Sequence, residues 1–475
     1  MSRRSADRFS RCLRLGLAVA AVVGAAPAAV GAPGIFDVRA HGAVGDGATT
    51  DTEAINRAIA ACAEAGGGQV RFPPGRYLSG TVRLRSKVAL HLEAGATLIG
   101  SPVLDSYEHF TPPAGMPESK FQPSWHRALV LGFDVEDVAI EGSGTIDGNR
   151  VFDREGEDGM RGPHTILLGG SRGLAIRSVA IRDSANYAVM LEDCSRVEIA
   201  GVTIAGGWDG VHFRGWPGHP CRDVSIVGCR FATGDDAIAG RYWERTLISG
   251  CLINSSCNGI RLIGPATGLI VHDCLFYGPG RHPHRTTDRT NMLAGINLQP
   301  GAWDPTEGRL DDVLISDVTM RDVSTPLHLS LKPGNTAGSI SVERLSATGI
   351  NLAAASVESW AGSRIERVVL RDVALEYAGG GTAEQARQPV RSPGIDARPL
   401  PSWGLYARDV GELVLDDVRL RLARADARPA LKCEGVGRLV LHGLRHDARA
   451  DGTGPRALKD VGEVVGDEAS AHAGK

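Results

Sequence analysis

The sequence predicts an all-β protein, a right-handed parallel β-helix in which short strands stack coil upon coil. One apolar run with alternating polar positions returns eleven times between residues 137 and 446. Four of the first six steps between its copies are 22 to 27 residues long. Repeats of this length in strand-rich sequence are typical of a solenoid. The 61 glycines set against ten phenylalanines also suit thin coils with many turns.

Residues 1–32 have the form of a secretory signal peptide. A basic start with five arginines precedes the apolar run LGLAVAAVVGAAPAAV and then small residues. The apolar part is too short to span a bilayer as a mature helix. We therefore expect this segment to be removed from a secreted or periplasmic protein that makes no further membrane contact.

The mature chain is expected to form a single β-helix domain over residues 33–447, with the N-terminal cap and first coils in residues 33–110. Thr50 and Glu53 match a helix-capping box, and apolar residues follow at helical spacing until three glycines end the pattern. A short helix here would cover the open end of the first coil, whose strand edges are otherwise unpaired. From residue 448 the chain turns polar and small, which predicts a disordered tail over 448–475.

Composition excludes several function classes. The formal net charge of −3 gives no electrostatic reason to expect nucleic-acid or membrane binding. The sequence has no CxxC or clustered histidine pattern of a zinc site, and we expect a monomer without metal or cofactor. Cys229, Cys251 and Cys274 share one position of the repeat and are predicted to be buried apolar filling. Cys221 and Cys257 are the disulfide candidates in an exported chain.

The stretch 206–264 is the part of the repeat that carries chemistry. Three successive coils contribute the similar runs DGVHFRG, DDAIAGR and NGIRLIG. Stacked strands lie about 4.8 Å apart, so equivalent residues of successive coils share one face of one sheet. The pattern therefore places Asp209, Asp235, Asp236 and Asn258 in a single patch.

Paired carboxylates of this kind suit the hydrolysis of a glycosidic bond. One carboxylic acid protonates the leaving oxygen, and a carboxylate about 6.5 to 9.5 Å away activates water in an inverting enzyme. Asp-Gly and Gly-Asp-Asp are also common turn sequences whose side chains cap backbone amides. Alignment one coil apart favours the catalytic interpretation. Adjacent strand residues point to opposite faces, so Asp235 and Asp236 both reach the cleft only if the chain bends at Gly234.

The motifs resemble glycoside hydrolase family 28, the polygalacturonase and rhamnogalacturonan hydrolase group with a pectin-lyase-like solenoid. The opening FDVRAHGAVGDGATTDTEAINRAI, the run LHLEAGATLIGS and GTIDGN carry the resemblance. The family motifs Asn-Thr-Asp, Gly-Asp-Asp and Gly-His-Gly correspond to Gly207-Trp208-Asp209, Gly234-Asp235-Asp236 and Cys257-Asn258-Gly259. The resemblance implies an inverting hydrolase in which Asp235 is the general acid and Asp209 with Asp236 holds the water.

The chain departs from the family pattern at several positions. Asn258 replaces the family histidine, and Asn297-Leu298-Gln299 stands where the family carries Arg-Ile-Lys. Arg261 is either a replacement cation or an exposed ladder arginine, and aromatic residues near the aspartates suit sugar stacking.

We expect the charged loop 279–290 to form a wall of the cleft and residues 385–401 to form another excursion. The candidate substrate-binding residues are Trp208, His212, Asn258, Arg261, Asn297, Gln299 and His328.

Three functions compete on this scaffold. The first is an exported glycoside hydrolase that acts on a pectin-like polysaccharide. The second is a polysaccharide lyase, with Arg261 or Arg214 as base and calcium held by the aspartates. The third is a non-catalytic glycan-binding β-helix that has kept its carboxylates.

The neutral residues Asn297 and Gln299 generate a prediction about substrate. We expect unmodified polygalacturonan to be a poor substrate and a mixed or neutral-sugar backbone to be cleaved faster, because the cations expected to grip the substrate carboxylates are missing. A reducing-sugar assay on both polymers checks this. Rapid turnover of polygalacturonan would show that another cation has taken over that contact.

Overall fold

The computed structural model describes residues 34–110, 116, 124–450, 452 and 454–466. Its strands stack as parallel neighbours along the whole described chain, which confirms the predicted parallel β-helix. The 38 strands are, in chain order from β1 to β38, Gly34–Asp37, Asp46–Thr50, Gly68–Phe72, Gly75–Ser79, Val82–Arg83, Val88–Leu92, Ala96–Gly100, Ala128–Phe133, Glu136–Gly142, Thr145–Asp147, His164–Gly169, Arg172–Arg177, Ala180–Arg182, Val189–Glu192, Ser195–Ala200, Thr203–Gly206, Val211–Arg214, Cys221–Val227, Arg230–Thr233, Ile238–Arg241, Trp243–Ser249, Leu252–Ser255, Asn258–Leu262, Ala266–His272, Leu275–Tyr277, Ala294–Leu298, Gly308–Arg321, Leu327–Leu331, Asn335–Ile350, Ala355–Ser359, Arg364–Tyr377, Leu405–Arg408, Val410–Leu422, Leu431–Glu434, Arg438–His442, Arg445–His446, Arg456–Lys459 and Glu463–Gly466.

The helices are short and peripheral. Helix α1 spans Thr52–Glu64 and α2 spans Ala383–Arg387. Single 3-10 turns lie at Val38–His41, Leu104–Ser106, Ser124–His126 and Glu157–Gly159. The predicted N-terminal helix is present, with Ala54, Ile55, Ala58, Ile59 and Cys62 buried against the first coils.

The start of α1 differs from the predicted capping box. Asp51 is the N-cap residue, and Thr50 ends strand β2. The Asp51 carboxylate accepts hydrogen bonds from the main-chain N–H groups of Val44 (2.7 Å) and Gly45 (3.1 Å) instead of capping the helix. The capping box was the wrong interpretation because this carboxylate serves the preceding loop.

One strand per coil builds a 13-stranded sheet that runs from β5 to β37 in strict stacking order. The other 25 strands form the remaining faces of the coils. In the 13-stranded sheet, Val211 pairs with Ile238, Ile238 with Ile260, and Ile260 with Ile296. This unbroken register carries equivalent side chains of successive coils into line, and the candidate site lies on this sheet.

The interior is a stack of apolar ladders. Ile199, Ile226, Ile248, Val271 and Ile315 pair in succession on neighbouring coils, and each is at most 1% exposed. Full burial of such a side chain stabilises a fold by about 1.5–3 kcal/mol. The period seen in the sequence is therefore the period of the core.

The cysteines of the described chain are buried and unbridged. Cys229, Cys251 and Cys274 fill one inward position and donate S–H bonds to main-chain carbonyls, as predicted for packing residues. Cys221 and Cys257 are also free thiols, so the suggested disulfide between them is wrong. Packing, not cross-linking, accounts for these cysteines.

The predictions for the two ends of the chain have different outcomes. The predicted signal peptide lies outside the described residues, as does 467–475. Strands β37 and β38 pair with β34 and β35, so residues 456–466 continue the stack and the predicted disorder from 448 onward is wrong there. Among the described residues, no helix has the length and apolar character needed to cross a membrane.

The buried ladder generates a prediction about stability. Ile248→Ala should lower the free energy of unfolding by about 2–5 kcal/mol, because the side chain is removed from a core that relaxes only partly. Ile270, on the next coil but 39% exposed, is the matched control, and Ile270→Ala should change stability by less than about 0.5 kcal/mol. Urea unfolding followed by circular dichroism measures both. Equal losses in the two variants would contradict the assignment of the core face.

Candidate functional site

A cavity of about 210 Å³ opens on the 13-stranded sheet beside strands β17, β20 and β23. Five of the residues predicted from the sequence line it together: Asp209, His212, Asp235, Asp236 and Arg261. Residues from four connecting segments complete the lining, among them Arg161, His284, Trp303 and Asp396. The predicted patch exists, and the charged loop 279–290 forms one of its walls as expected.

Asp235 and Asp236 both reach the cavity because the chain bends between β19 and β20. Residues 234–235 are a bend and not part of a strand, as the sequence required. A side chain at Gly234 would place its Cβ 2.4 Å from the carbonyl oxygen of Gly207, so only glycine fits this turn. The hydroxyls of Thr233 and Ser255 each donate to the carbonyl of Asp235 at 2.8 Å and fix its conformation.

Asn258 holds Asp236 in place. Its main-chain N–H and its Nδ2 donate to Asp236 Oδ1 at 2.9 and 2.8 Å. Burial raises the pKa of Asp236, and the charge of Arg261, 3.6 Å away, opposes this shift. Asn258 is itself fully buried, so it positions the carboxylate and does not contact a substrate.

Asp209 has an environment that favours the protonated form. Its Oδ2 lies 2.7 Å from Nδ1 of His212, whose ring is stacked on Tyr187 at 4.2 Å between centroids. Burial raises the pKa of Asp209 well above its usual range, and the neighbouring charges of Asp235 and Asp236 raise it further. Burial also lowers the pKa of His212, which keeps that ring neutral.

Asp235 has the opposite environment. Its two oxygens face Nη2 of Arg161 at 3.4 Å and Nε2 of His284 at 3.7 Å. Burial works to raise the pKa of Asp235, but the contact with His284 and the charges of Arg161 and Arg261 outweigh burial and lower it. The sequence-based argument that two negative neighbours hold a proton on Asp235 is wrong, because the Arg161 guanidinium and Nε2 of His284, both from other segments, face it.

Those two groups, Arg161 and His284, were not identified from the sequence. Arg161 follows the 3-10 turn Glu157–Gly159 and also contacts Glu157 (3.7 Å) and Asp158 (2.9 Å). His284 belongs to the charged loop 279–290. Neither segment is part of the repeat, so the strand register could not predict where these side chains lie.

Trp208 does not have the sugar-stacking position expected of it. Its side chain is fully buried, and the Arg161 guanidinium lies over its ring, 3.7 Å from the centroid. Trp243 is likewise buried, against Phe213 at 4.6 Å. Both rings are packing residues: Trp243 belongs to the apolar interior of the coils, and Trp208 belongs to a separate buried cluster with Tyr187.

His328, Asn297 and Gln299 are also not placed to contact a substrate. His328 is 1% exposed and lies with Nδ1 2.8 Å from Ser356 Oγ, outside the cavity lining. Asn297 and Gln299 are fully buried and donate to the main-chain carbonyls of Ile395 (3.5 Å) and Gly394 (3.2 Å). The excursion 385–401 covers the strand positions that would otherwise face a glycan.

One cluster of the described chain has metal-ligand character. Oxygens of Asp235 and Asp236 and Sγ of Cys257 lie within 4.8 Å of one another. Arg289 Nη2 lies 2.9 Å from that sulfur, and Arg261 Nη1 lies 3.6 Å from Asp236. Two guanidinium groups therefore already supply positive charge next to these three donor atoms.

Comparison with known proteins places this geometry in a family. Residues 35–278, just over half of the chain, match the family model described as rhamnogalacturonase A/epimerase, pectate lyase-like. The chain belongs to this family. The matched region contains Asp209, Asp235 and Asp236, and the resemblance seen in the motifs is confirmed for family and fold.

Individual relatives are more distant. A probable polygalacturonase of Vitis vinifera is 27% identical over 294 residues, which cover 59% of each chain. An exo-poly-alpha-D-galacturonosidase of Dickeya chrysanthemi is 28% identical over 258 residues, covering 43% of this chain and 42% of the relative. This family member thus spans about half the length of the curated relatives it matches. The crystal structure of an exopolygalacturonase from Thermotoga maritima shares the fold, with a TM-score of 0.61, 18% identity and coverage of 81% of this chain and 91% of that one.

The opposite environments of Asp209 and Asp235 generate a paired prediction. Asp209 has a raised pKa, so its favourable contribution to folding is complete below the usual 3.8 and is lost as pH rises. Asp209→Asn should therefore gain stability over the wild type progressively from pH 4 to pH 8. Asp235 has a lowered pKa, and its contribution is lost only as pH falls below 3.8. Asp235→Asn should therefore be less stable than the wild type across the whole interval.

Thermal melting of the wild type and the two variants between pH 4 and pH 8 measures these differences. Asp183→Asn, on the outer surface and exposed, is the control. Apart from the effect of losing its contact with Arg150, its melting temperature should match that of the wild type at each pH. Equal and parallel shifts for Asp209→Asn and Asp235→Asn would contradict the assigned proton distribution.

Proposed function

We propose that this protein is a glycoside hydrolase that cleaves a pectin-like polysaccharide with inversion of configuration. The observation that carries the proposal is the set of three buried carboxylates, Asp209, Asp235 and Asp236, brought to one cavity by successive coils. The names of the two curated relatives agree with this substrate class. We also propose that the protein is exported, on the basis of its first 32 residues.

Within this proposal, Asp235 donates the proton to the leaving oxygen. It is the most exposed of the three carboxylates, at 9% against 5% for Asp236 and 4% for Asp209. Asp236, fixed by Asn258 and facing Arg261 at 3.6 Å, is the carboxylate that accepts the proton of the attacking water, and Asp209, fixed by His212, holds that water beside it. Two carboxylate positions one coil apart leave room for that water, as inversion requires.

The lowered pKa of Asp235 means that its proton must be supplied, and His284 is the group in position to supply it. The N–H of Thr286 and the hydroxyls of Thr286 and Thr287 surround Nδ1 of His284 at 3.4, 3.0 and 3.2 Å. A main-chain N–H can only donate, so Nδ1 accepts and the neutral ring carries its hydrogen on Nε2, toward Asp235. Protonation of Nδ1 from solvent followed by transfer of the Nε2 hydrogen to Asp235 leaves a neutral ring with its hydrogen on Nδ1, where the hydroxyls of Thr286 and Thr287 can accept from it.

The guanidinium groups around the cavity already have partners. Arg261 contacts Asp236 and Asp396 and donates to the carbonyl of Ile395 at 2.7 Å. Arg289 donates to the carbonyl of Ser256 at 3.0 Å and lies against Cys257. A uronate carboxylate would have to displace one of these contacts, which supports a neutral sugar at the cleavage point and does not support Arg261 as the replacement cation.

Substitution of the three aspartates tests the proposal. Asp209→Asn, Asp235→Asn and Asp236→Asn should each lower kcat by about two to four orders of magnitude, the usual range of general acid–base catalysis. An aryl glycoside with an activated leaving group should partly restore Asp235→Asn and neither of the others, because that leaving group needs less protonation. His284→Gln should lower kcat, because it removes the ring whose Nε2 faces Asp235.

Early products followed by proton NMR should have inverted anomeric configuration. Retention, or full activity of Asp235→Asn, would overturn the mechanism. Calcium-dependent formation of unsaturated, ultraviolet-absorbing products would indicate a lyase instead, and glycan binding without turnover would indicate a non-catalytic β-helix.

A further inference from the structure

Residues 391–398, named the strap here, cross the sheet face next to the cavity. The strap belongs to the excursion between β31 and β32. Arg398 anchors it by donating to both carboxylate oxygens of Glu358 at 2.8 and 2.7 Å, and Glu358 is fully buried on β30. A two-point ion pair with a buried carboxylate is a strong anchor, because its loss would leave that charge unpaired.

The strap accepts hydrogen bonds from polar side chains of three successive coils. Lys332, next to β28, donates to Ser392 Oγ at 3.0 Å and to the carbonyl of Pro393. Gln299, next to β26, donates to the carbonyl of Gly394, and Arg261 of β23 donates to the carbonyl of Ile395. These side chains lie on the face along which a polysaccharide would continue past the aspartates. The strap occupies that path with its own main chain.

The cavity that remains has a volume of about 210 Å³ and is open to solvent on one side. Arg161 with Glu157 bounds it on one side, the loop carrying His284 on another, and Ile395 with Asp396 at the strap. With walls on these sides it suits one sugar ring near the aspartates, and the rest of a chain would leave through the open side.

An aromatic platform stands beside the strap. Trp303 lines the cavity, is 53% exposed, and is backed by Arg261 at 5.4 Å from its ring. A partly exposed ring is the surface on which a sugar face packs. The carboxylate of Asp396, 36% exposed, lies at the same end and can accept hydrogen bonds from sugar hydroxyls. Trp303 thus provides the stacking surface that buried Trp208 does not.

We propose that the strap, Trp303 and Asp396 form a subsite for the terminal sugar of a glycan chain, so that the enzyme releases sugars from a chain end. This rests on the proposed glycosidase function and adds the mode of attack and the residues that set it. The terminal residue packs on Trp303, its hydroxyls meet Asp396, and the strap prevents the chain from extending further along the sheet.

Product analysis on two polymers, polygalacturonan and a rhamnogalacturonan backbone, tests the proposal with the full-length protein. We expect one small product from the first time point and a viscosity that falls slowly as reducing ends accumulate. A ladder of medium-sized products with an early loss of viscosity would overturn the terminal subsite while leaving the glycosidase function intact. Absence of new reducing ends from both polymers would instead overturn the glycosidase function.

Variants test the residues named. The double variant Arg398→Ala with Glu358→Gln releases the strap without leaving a buried charge unpaired, and it should shift the products toward longer oligosaccharides. Arg387→Ala, an exposed change at the end of α2, is the matched control and should keep the wild-type pattern. Trp303→Ala should raise KM by about five- to tenfold, and Trp303→Phe should restore most of that loss. An unchanged product pattern in the double variant would overturn the role of the strap.

Binding measurements test the subsite independently of turnover. Calorimetry with oligosaccharides of the same two polymers, each carrying a bulky tag at one end or at the other, uses the inactive Asp235→Asn protein. A tag at one particular end should abolish binding, because that end must lie against the wall that the strap forms. Equal binding of both tagged forms, or of neither the tagged nor the untagged oligosaccharides, would overturn the subsite.

Discussion

The structure depends on the hydrogen-bonded register between successive coils. Each strand of the 13-stranded sheet pairs in parallel with the equivalent strand of the next coil, so the pairing of Val211 with Ile238 and of Ile238 with Ile260 fixes where every neighbouring side chain lies. Because the spacing between stacked strands is set by the backbone, small sequence changes within a coil do not move the coils apart. A site built from several coils is therefore rigid without disulfides.

Rigidity lets the protein keep charged groups in positions that folding alone would not favour. Asp209 is buried in surroundings that raise its pKa, whereas Asp235, on the next coil, faces Arg161 and His284, which lower its pKa. The two carboxyl groups have the same chemistry and nearly the same burial. Their difference comes entirely from the neighbours that each one meets, and such pairs with separated pKa values are typical of acid–base sites.

The connecting segments supply what the repeat cannot. Arg161, the loop with His284 and the strap with Ile395 all come from chain that interrupts the regular coils, and each contacts a strand residue of the cavity. They turn a flat sheet face into a cavity with walls on several sides. The repeat therefore provides a platform with carboxylates, and the insertions provide the electrostatics and shape that distinguish this member of the family.

Local period and strand register are visible in the sequence, and they were enough to predict the parallel β-helix, the capping helix, the ladder position of Cys229, Cys251 and Cys274, and the convergence of the three aspartates. They could not predict that Trp208 is buried, that residues 394–395 cover Asn297 and Gln299, or that Arg161 and His284 face Asp235. These contacts join parts of the chain far apart in sequence and outside the repeat. Their geometry depends on where irregular segments fold back, which no periodic pattern encodes.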